Sequence, residues 1–473
     1  MRRTKIVATI GPASSDEHTL ARMVAAGMDV ARLNFSHGDY ASHEQLMNRI
    51  RKVSAEAGRH VAVLQDLCGP KIRTGGDVEG GKVHLAQDTA VTLTGGDRIT
   101  AERIAISHPE VLTDLSVGER VFLSDGSLEL VVTEQGSEGV VCRVVRGGDL
   151  RAHQGVNLPG ARLTGLDTIT DKDWRDLEWG IAHQVDYVAL SFVRSAEDVA
   201  RIQKRIREAG LDIPVVAKIE KPEAVEHLES IIEMADAVMV ARGDLGVEMA
   251  VEKVPGIQKE IAALARDHER PTIVATQMLE SMTSNVRPTR AEVSDVANAI
   301  FDGVDAVMLS GETASGQYPV EAVQMMERIA LEAEERLLHH LRTVGAGELE
   351  RADNVGEAVG RASELVTREL EIETVFVVDV DGSRSRAAAS SRPAAQVVGL
   401  ASDPRILRRM ALLWGVLPEI LDGGADRGSE MARYLSDLAL RRNLAKKGDV
   451  VVMLSGSPPR APGPVSAMRL FTV

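Results

Sequence analysis

Eight times along this 473-residue chain a short apolar run, rich in β-branched residues, ends on a polar residue and gives way to an amphipathic segment. The runs are Lys5–Ile10, Asp29–Leu33, Val61–Leu64, Asp186–Leu190, Pro214–Ala217, Asp236–Ala241, Pro271–Ala275 and Asp305–Leu309. They are continuous rather than alternating, which is the pattern of parallel strands buried on both faces. The segments between them carry helix signals. Ser195 with Asp198 and Thr289 with Glu292 stand at capping-box spacing, Pro222 suits a first helical position, and Gly210 suits a stop. Alternating strands and helices predict the α/β class, and eight units predict a closed (β/α)8 TIM barrel over the competing doubly wound sheet.

The polar tips strengthen that choice. Thr9, Asn34 with Ser36, Asp66, Ser191, Lys218 with Glu220, Arg242 with Asp244, Thr276, and Ser310 with Glu312 all fall at carboxyl ends of strands. A barrel gathers those ends into one mouth, where active sites are built. About 120 residues separate the third and fourth runs, and there the pattern changes. Val121–Leu123, Leu128–Thr133 and Val140–Val145 are β-rich segments joined by turn sequences, so an all-β domain is expected in a βα loop, placed as a lid. Beyond the barrel, Val355–Leu370 reads as a helix, and Thr374–Val380, Gln396–Leu400 and Asp449–Ser455 as strands. The expected division is barrel at 1–69 and 166–337, inserted lid at 70–165, and a C-terminal α/β domain at 338–473.

Glu220 and Asp244 follow the fifth and sixth strands and so become neighbours at the mouth. Two carboxylates there, beside Lys218, suit Mg²⁺, which takes few protein ligands and keeps open positions; singly, each reads better as a solvated salt bridge. Lys218 projects from the same strand as Glu220, placed to neutralise a transferring phosphoryl group or an enolate. Pairing with Asp66 or Glu220, or a Schiff-base role, are the other readings open to such a lysine. Arg32 and Arg73 suit phosphate through bidentate forks. Gly243, within Ala-Arg-Gly-Asp-Leu-Gly at 241–246, leaves backbone open to close approach, and a helix starting there can hold an anion on its amides.

The formal charge of −15 argues against nucleic acid or an anionic membrane as the main partner. Cys68 and Cys142 are the two cysteines, so no disulfide framework is expected and a cytoplasmic, reducing setting fits. The N-terminal MRRTKIVATIGP has too short an apolar run for a signal peptide, and no stretch reads as a membrane span.

Nine ordered segments resemble the pyruvate kinase family. They are Ala8-Thr-Ile-Gly-Pro-Ala-Ser14, Asn34-Phe-Ser-His37, Gly69-Pro-Lys-Ile-Arg-Thr74, Gly155-Val-Asn-Leu-Pro-Gly160, Asp171-Lys-Asp173, Lys218-Ile-Glu220, Met239-Val-Ala-Arg-Gly-Asp-Leu-Gly246, Ala275-Thr-Gln-Met-Leu-Glu-Ser-Met282 and Met308-Leu-Ser-Gly-Glu-Thr-Ala314. The resemblance implies phosphoryl transfer from phosphoenolpyruvate to ADP, with Glu220 and Asp244 holding Mg²⁺ (Mn²⁺ as a substitute) and Lys218 stabilising the phosphoryl group in flight. It implies that Arg32 and Arg73 contact phosphate, with Arg73 nearer the nucleotide. Gly243, Asp244 and Thr276 would hold the substrate carboxylate, Thr276 would join the proton relay, and Asn34, Phe35, Ser36 and His37 would line the nucleotide side. A regulatory C-terminal domain that takes a small-molecule effector, and a homotetramer, are implied as well. The loop Asp381–Arg386 stands where some relatives bind a sugar phosphate, though Asp379 and Asp381 would oppose one.

Two departures from the family pattern matter. Potassium-dependent members carry Glu where this chain has Lys71 and Thr where it has Leu67, so an ammonium beside Asn34, Ser36 and Asp66 is expected to replace K⁺. Gln154 stands where many relatives place a lysine facing the nucleotide. The rival reading is a Mg²⁺-dependent aldolase or lyase on a similar barrel, which would need no nucleotide.

Overall fold

The computed structural model describes residues 1–124, 126–161, 165–343, 355–421, 428–460 and 463–473. Eight parallel strands close into a barrel: β1 (Lys5–Thr9), β2 (Val30–Asn34), β3 (Ala62–Asp66), β4 (Tyr187–Leu190), β5 (Val215–Ile219), β6 (Ala237–Ala241), β7 (Thr272–Ala275) and β8 (Ala306–Leu309). Every residue of β1, β3, β5 and β6 is buried. Alternate side chains of each strand serve two cores: Ile6 and Ala8 face the helices, whereas Val7 joins Val30, Leu64, Val216, Met239 and Ile273 inside the barrel. Helices start where their caps predict, with capping boxes at Ser195/Asp198 and Thr289/Glu292. Gly210, at a φ of 73°, follows the helix Ala196–Glu208.

The base of the barrel carries a fourfold repeat. Asp29, Asp186, Asp236 and Asp305 each precede an even-numbered strand, and the side chain of each accepts the backbone N–H of Ile6, Val63, Val215 or Thr272 in the strand before, at 2.7–3.0 Å. These clips fix the register of strand pairs at the end opposite the mouth. The mouth is thereby framed by a rigid base.

Between β3 and β4 lies an all-β unit: an eight-stranded sheet whose members run from Asp77–Val78 to Val156–Asn157, with a two-stranded ribbon of Lys82–Leu85 and Gly148–Arg151. It holds its own core around Leu93, Leu123 and Leu130. The C-terminal unit is a five-stranded sheet in the order Val416–Ile420, Gln396–Ala401, Thr374–Val378, Val450–Ser455, Ala467–Thr472, parallel except for the last strand. Its two edge strands carry no clear sequence signal. Pro418 interrupts the first, which an edge tolerates because one side needs no ladder bond. Ala411 and Leu412, next to this sheet, pack into the barrel's inner core from below.

Candidate active site

At the mouth, β3, β4 and β5 bring together Asp66, Ser191 and Lys218, each with under a tenth of its surface exposed. The Lys218 ammonium donates to Ser191 Oγ at 2.7 Å and stands 2.9 Å from Glu220 Oε1 and 3.3 Å from Asp66 Oδ1. Burial works to neutralise it, but Asp66 and Glu220 outweigh that and raise its pKa above the ordinary lysine value. Lys218 is therefore a fixed cation. Asp66 is its counterpart: burial pushes its carboxyl up, yet Lys218 and Arg32 together hold it below the usual range. Arg32 reaches from β2, with Nε and Nη2 both 2.6 Å from Asp66 Oδ2 and Nη1 donating to Thr9 Oγ1 at 3.0 Å.

Glu220 differs from Asp66. Burial raises its pKa, Asp244 adds to the rise, and Lys218 only partly opposes them. Its Oε2 accepts the backbone N–H of Phe192 at 2.7 Å. Phe192 has a left-handed φ of 55°, a conformation that costs free energy in a bulky residue and marks a functional constraint. Glu220 and Asp244 thus offer neighbouring carboxylate oxygens whose mutual repulsion Lys218 only partly offsets, which fits a hard divalent cation.

Asp244 lies in the helix Arg242–Glu248 after β6. The Gly243 amide, a candidate for the substrate carboxylate, donates to Thr276 Oγ1 at 2.7 Å, while that hydroxyl donates to Ala275 O at 2.6 Å. A Cβ at Gly243 would sit 3.3 Å from Thr276 Oγ1, so glycine permits this close approach. Thr276 has a φ of 71°, strained for a β-branched residue. Arg242 holds the strained turn, donating to Thr276 O at 2.8 Å and pairing with Asp295 at 2.8 Å.

A cleft of about 380 Å³ opens between this centre and the inserted unit, with Lys71, Arg73, Gln154, Asn157, Asp244 and Glu248 on its walls. His37 feels the cations of this region: burial, then Lys71, Arg73 and Arg32, all push its pKa down. The Asn34–His37 turn is folded on itself, Asn34 Oδ1 accepting the Ser36 N–H at 3.1 Å, and Phe35 is buried against His43 and Trp179. Leu67 is buried, with its N–H donating to Ala189 O at 3.0 Å. Arg73 Nη1 donates to His153 O at 3.1 Å, and the Gln154 amide group donates to Ala152 O at 3.3 Å. Among the described residues Lys71 has no ion-pair partner, and the oxygens of Asp66 meet Arg32 and Lys218 instead.

Comparison with known proteins gives two matches to family models: "Pyruvate kinase, barrel domain" over residues 1–323 and "Pyruvate kinase, alpha/beta domain" over residues 357–471. The chain belongs to the pyruvate kinase family. It is 41% identical over its whole length to a pyruvate kinase of Geobacillus stearothermophilus, covering 80% of that protein. It is 40% identical over its whole length to a pyruvate kinase of Mycobacterium intracellulare, covering 98% of it. Over 96% of the chain it is 42% identical to a "Pyruvate kinase 2" of Synechocystis, covering 77% of that protein. Such end-to-end likeness to pyruvate kinases makes this a phosphotransferase and does not favour the aldolase reading.

Strand-end placement in the sequence points to Lys218, Glu220 and Asp244, and does not single out Ser191, Phe192, Lys221 and Glu248 as site residues. Ser191 had a signal in its place at a strand end; the others act through single contacts that leave no sequence pattern. In the C-terminal domain, Asp381 Oδ1 accepts the Ser383 N–H at 3.0 Å, and Asp379 takes those of Gly382 and Ser385 at 3.0 and 2.7 Å. A phosphate at this loop must displace both carboxylates. Among the described residues no helix is long and apolar enough to cross a membrane.

Proposed function

We propose that this protein transfers the phosphoryl group of phosphoenolpyruvate to ADP, giving pyruvate and ATP, in the cytoplasm. The observation that carries the reading is the buried Lys218 ammonium held beside Glu220, next to a cleft lined by Asp244, Lys71 and Arg73. Anionic phosphates are drawn to the cations of that cleft, and Asp244, which lines it and acts on both Lys218 and Glu220, links it to the buried ammonium. Preorganised charge of this kind is worth most where burial excludes water.

Glu220 and Asp244 are the proposed holders of Mg²⁺, or of Mn²⁺ in its place. When bound, the cation neutralises substrate oxygens and orients them. Lys218, held by Ser191 and Asp66, steadies the phosphoryl group as its bond to the enol oxygen breaks and a bond to the terminal oxygen of ADP forms. Arg32 reaches the same group from β2, and Arg73 meets the nucleotide phosphates, with Asn34, Phe35, Ser36 and His37 on that side. The backbone of Gly243 and Asp244, with Thr276, receives the substrate carboxylate; the Gly243 amide exchanges its Thr276 partner for it. The enolate left behind takes on carbon a proton that comes from solvent water, with the Thr276 hydroxyl as a relay that accepts one proton as it passes one on, and becomes pyruvate.

Turnover is proposed to need no K⁺. The support is the charge of Lys71 beside His37, together with Leu67, whose apolar side chain offers a cation no oxygen near Asn34, Ser36 and Asp66. The proposed domains are the barrel at 1–69 and 166–337, the lid at 70–165, and a C-terminal effector and oligomerisation domain at 338–473 in a homotetramer. The test is ATP formation from phosphoenolpyruvate and ADP with Mg²⁺ in a K⁺-free buffer, then with K⁺ added. Equal rates are expected. Strong activation by K⁺ would overturn the Lys71 reading, and no ATP in any salt would overturn the proposed reaction.

A further inference from the structure

The inserted domain reaches the barrel mouth at a buried carboxylate with no part in the chemistry above. Glu248 ends the helix that carries Gly243 and Asp244, and it is 3% exposed. Its Oε1 accepts from Asn157 Nδ2 at 2.9 Å and stands 2.9 Å from Lys221 Nζ. Asn157 belongs to the inserted sheet, on the strand Val156–Asn157 that pairs antiparallel with Arg120–Leu123. Lys221 directly follows Glu220, and its ammonium stands 5.8 Å from the centre of the Phe192 ring. The backbone of Phe192, in turn, donates to Glu220. Asn157, Glu248, Lys221 and Phe192 all line the 380 Å³ cleft, so the chain of contacts runs along the wall of the site rather than behind it.

We propose that Asn157, Glu248 and Lys221 form a latch through which docking of the inserted domain sets the positions of Glu220 and Asp244. The inference rests on reading those two carboxylates as the divalent-cation pair. The helix Arg242–Glu248 is then pinned at both ends: at its start by the Gly243–Thr276 hydrogen bond, and at its finish by Asn157 and Lys221 holding Glu248. Lys221 extends the latch to the second carboxylate, since its contact with the Phe192 ring steadies the amide that orients Glu220. A buried ion pair adds little net stability but fixes geometry strongly, because either partner alone is a poorly solvated charge. When the lid swings out, Glu248 loses its Asn157 contact and the helix end is freed. Glu248 and Lys221 are positioning residues, and they tie closure of the cleft to assembly of the cation site.

The test uses the full-length chain with Asn157→Ala, Lys221→Met and the double variant. The readouts are kcat, Mn²⁺ affinity of the substrate-free enzyme by electron paramagnetic resonance, and amide hydrogen exchange over 242–248. Asn157→Ala leaves the Lys221–Glu248 pair intact, which keeps one arm clear of folding effects. Each single variant is expected to lower kcat by roughly 10- to 100-fold through misplacement, weaken Mn²⁺ binding and speed exchange over 242–248. The losses in the double variant should fall short of the sum of the single ones, since both variants weaken the hold on Glu248. Additive losses, or wild-type Mn²⁺ affinity in Asn157→Ala, would overturn the latch. Glu220→Gln is the control: if it still binds Mn²⁺ as wild type does, the cation-pair reading fails instead.

Discussion

Lys218 is an ammonium that burial alone would neutralise, and Asp66 and Glu220 keep it charged. Replacing Asp66 by Asn removes one of those charges and lowers the Lys218 pKa. The alkaline limb of the pH–rate profile should then begin at lower pH than in the wild type, with Asp66→Glu largely restoring it; an unmoved limb would show that Lys218 does not titrate there. Glu220 titrates in the opposite sense. Its raised pKa means that protons compete with the cation at higher pH than at an ordinary carboxylate. Mn²⁺ affinity is expected to fall as pH drops through that raised value, and Asp244→Asn, by removing the neighbouring charge, should move the fall to lower pH while weakening binding overall. Both experiments are pH titrations of the purified protein.

At the scale of elements, Gly243→Ala places a methyl 3.3 Å from Thr276 Oγ1, so the strained turn after β7 must give. The expected outcome is a lower kcat/KM for phosphoenolpyruvate with an almost unchanged melting temperature, checked by steady-state kinetics and calorimetry. The barrel strands were legible because each is a compact apolar run with a polar tip, and observed bounds lie within a residue or two of those read. The C-terminal edge strands were not. Val416–Ile420 contains Pro418, and Ala467–Thr472 mixes Arg469 among its apolar residues, so neither resembles a buried strand. The site divides similarly. Lys218, Glu220 and Asp244 are charged groups at strand ends, which sequence spacing reveals. Asn157, Phe192 and Glu248 matter through contacts between parts of the chain far apart in sequence, which no spacing records. The four basal aspartates were visible as the first residues of their runs, but their shared role as clips emerges only from the register of neighbouring strands.

Over the whole molecule, the C-terminal domain is bound to the barrel base through two of those clips, Asp305 and Asp186. Arg392 pairs with Asp305 at 2.8 Å and lies over Trp414; Arg408 pairs with Asp186 at 2.8 Å. Breaking a buried pair leaves an uncompensated charge, so Arg392→Ala should destabilise the fold by about 3 kcal/mol or more, measured by denaturant unfolding. Lys5 makes a second link, donating to Val416 O at 2.7 Å. Burial depresses its pKa to about 8, so the native state binds this proton more weakly than the unfolded chain. Stability relative to Lys5→Met should therefore rise as pH climbs from about 8 towards the ordinary lysine value. A flat difference across that range would show that Lys5 stays charged.

The most direct test is pyruvate formation by Lys218→Met, with Mn²⁺ and phosphoenolpyruvate binding measured on the same preparation. Turnover should fall by about 10²- to 10³-fold or more, while both ligands still bind, because the lost charge acts on the phosphoryl group in flight. Turnover near the wild-type rate would contradict the account and take Lys218 out of the reaction.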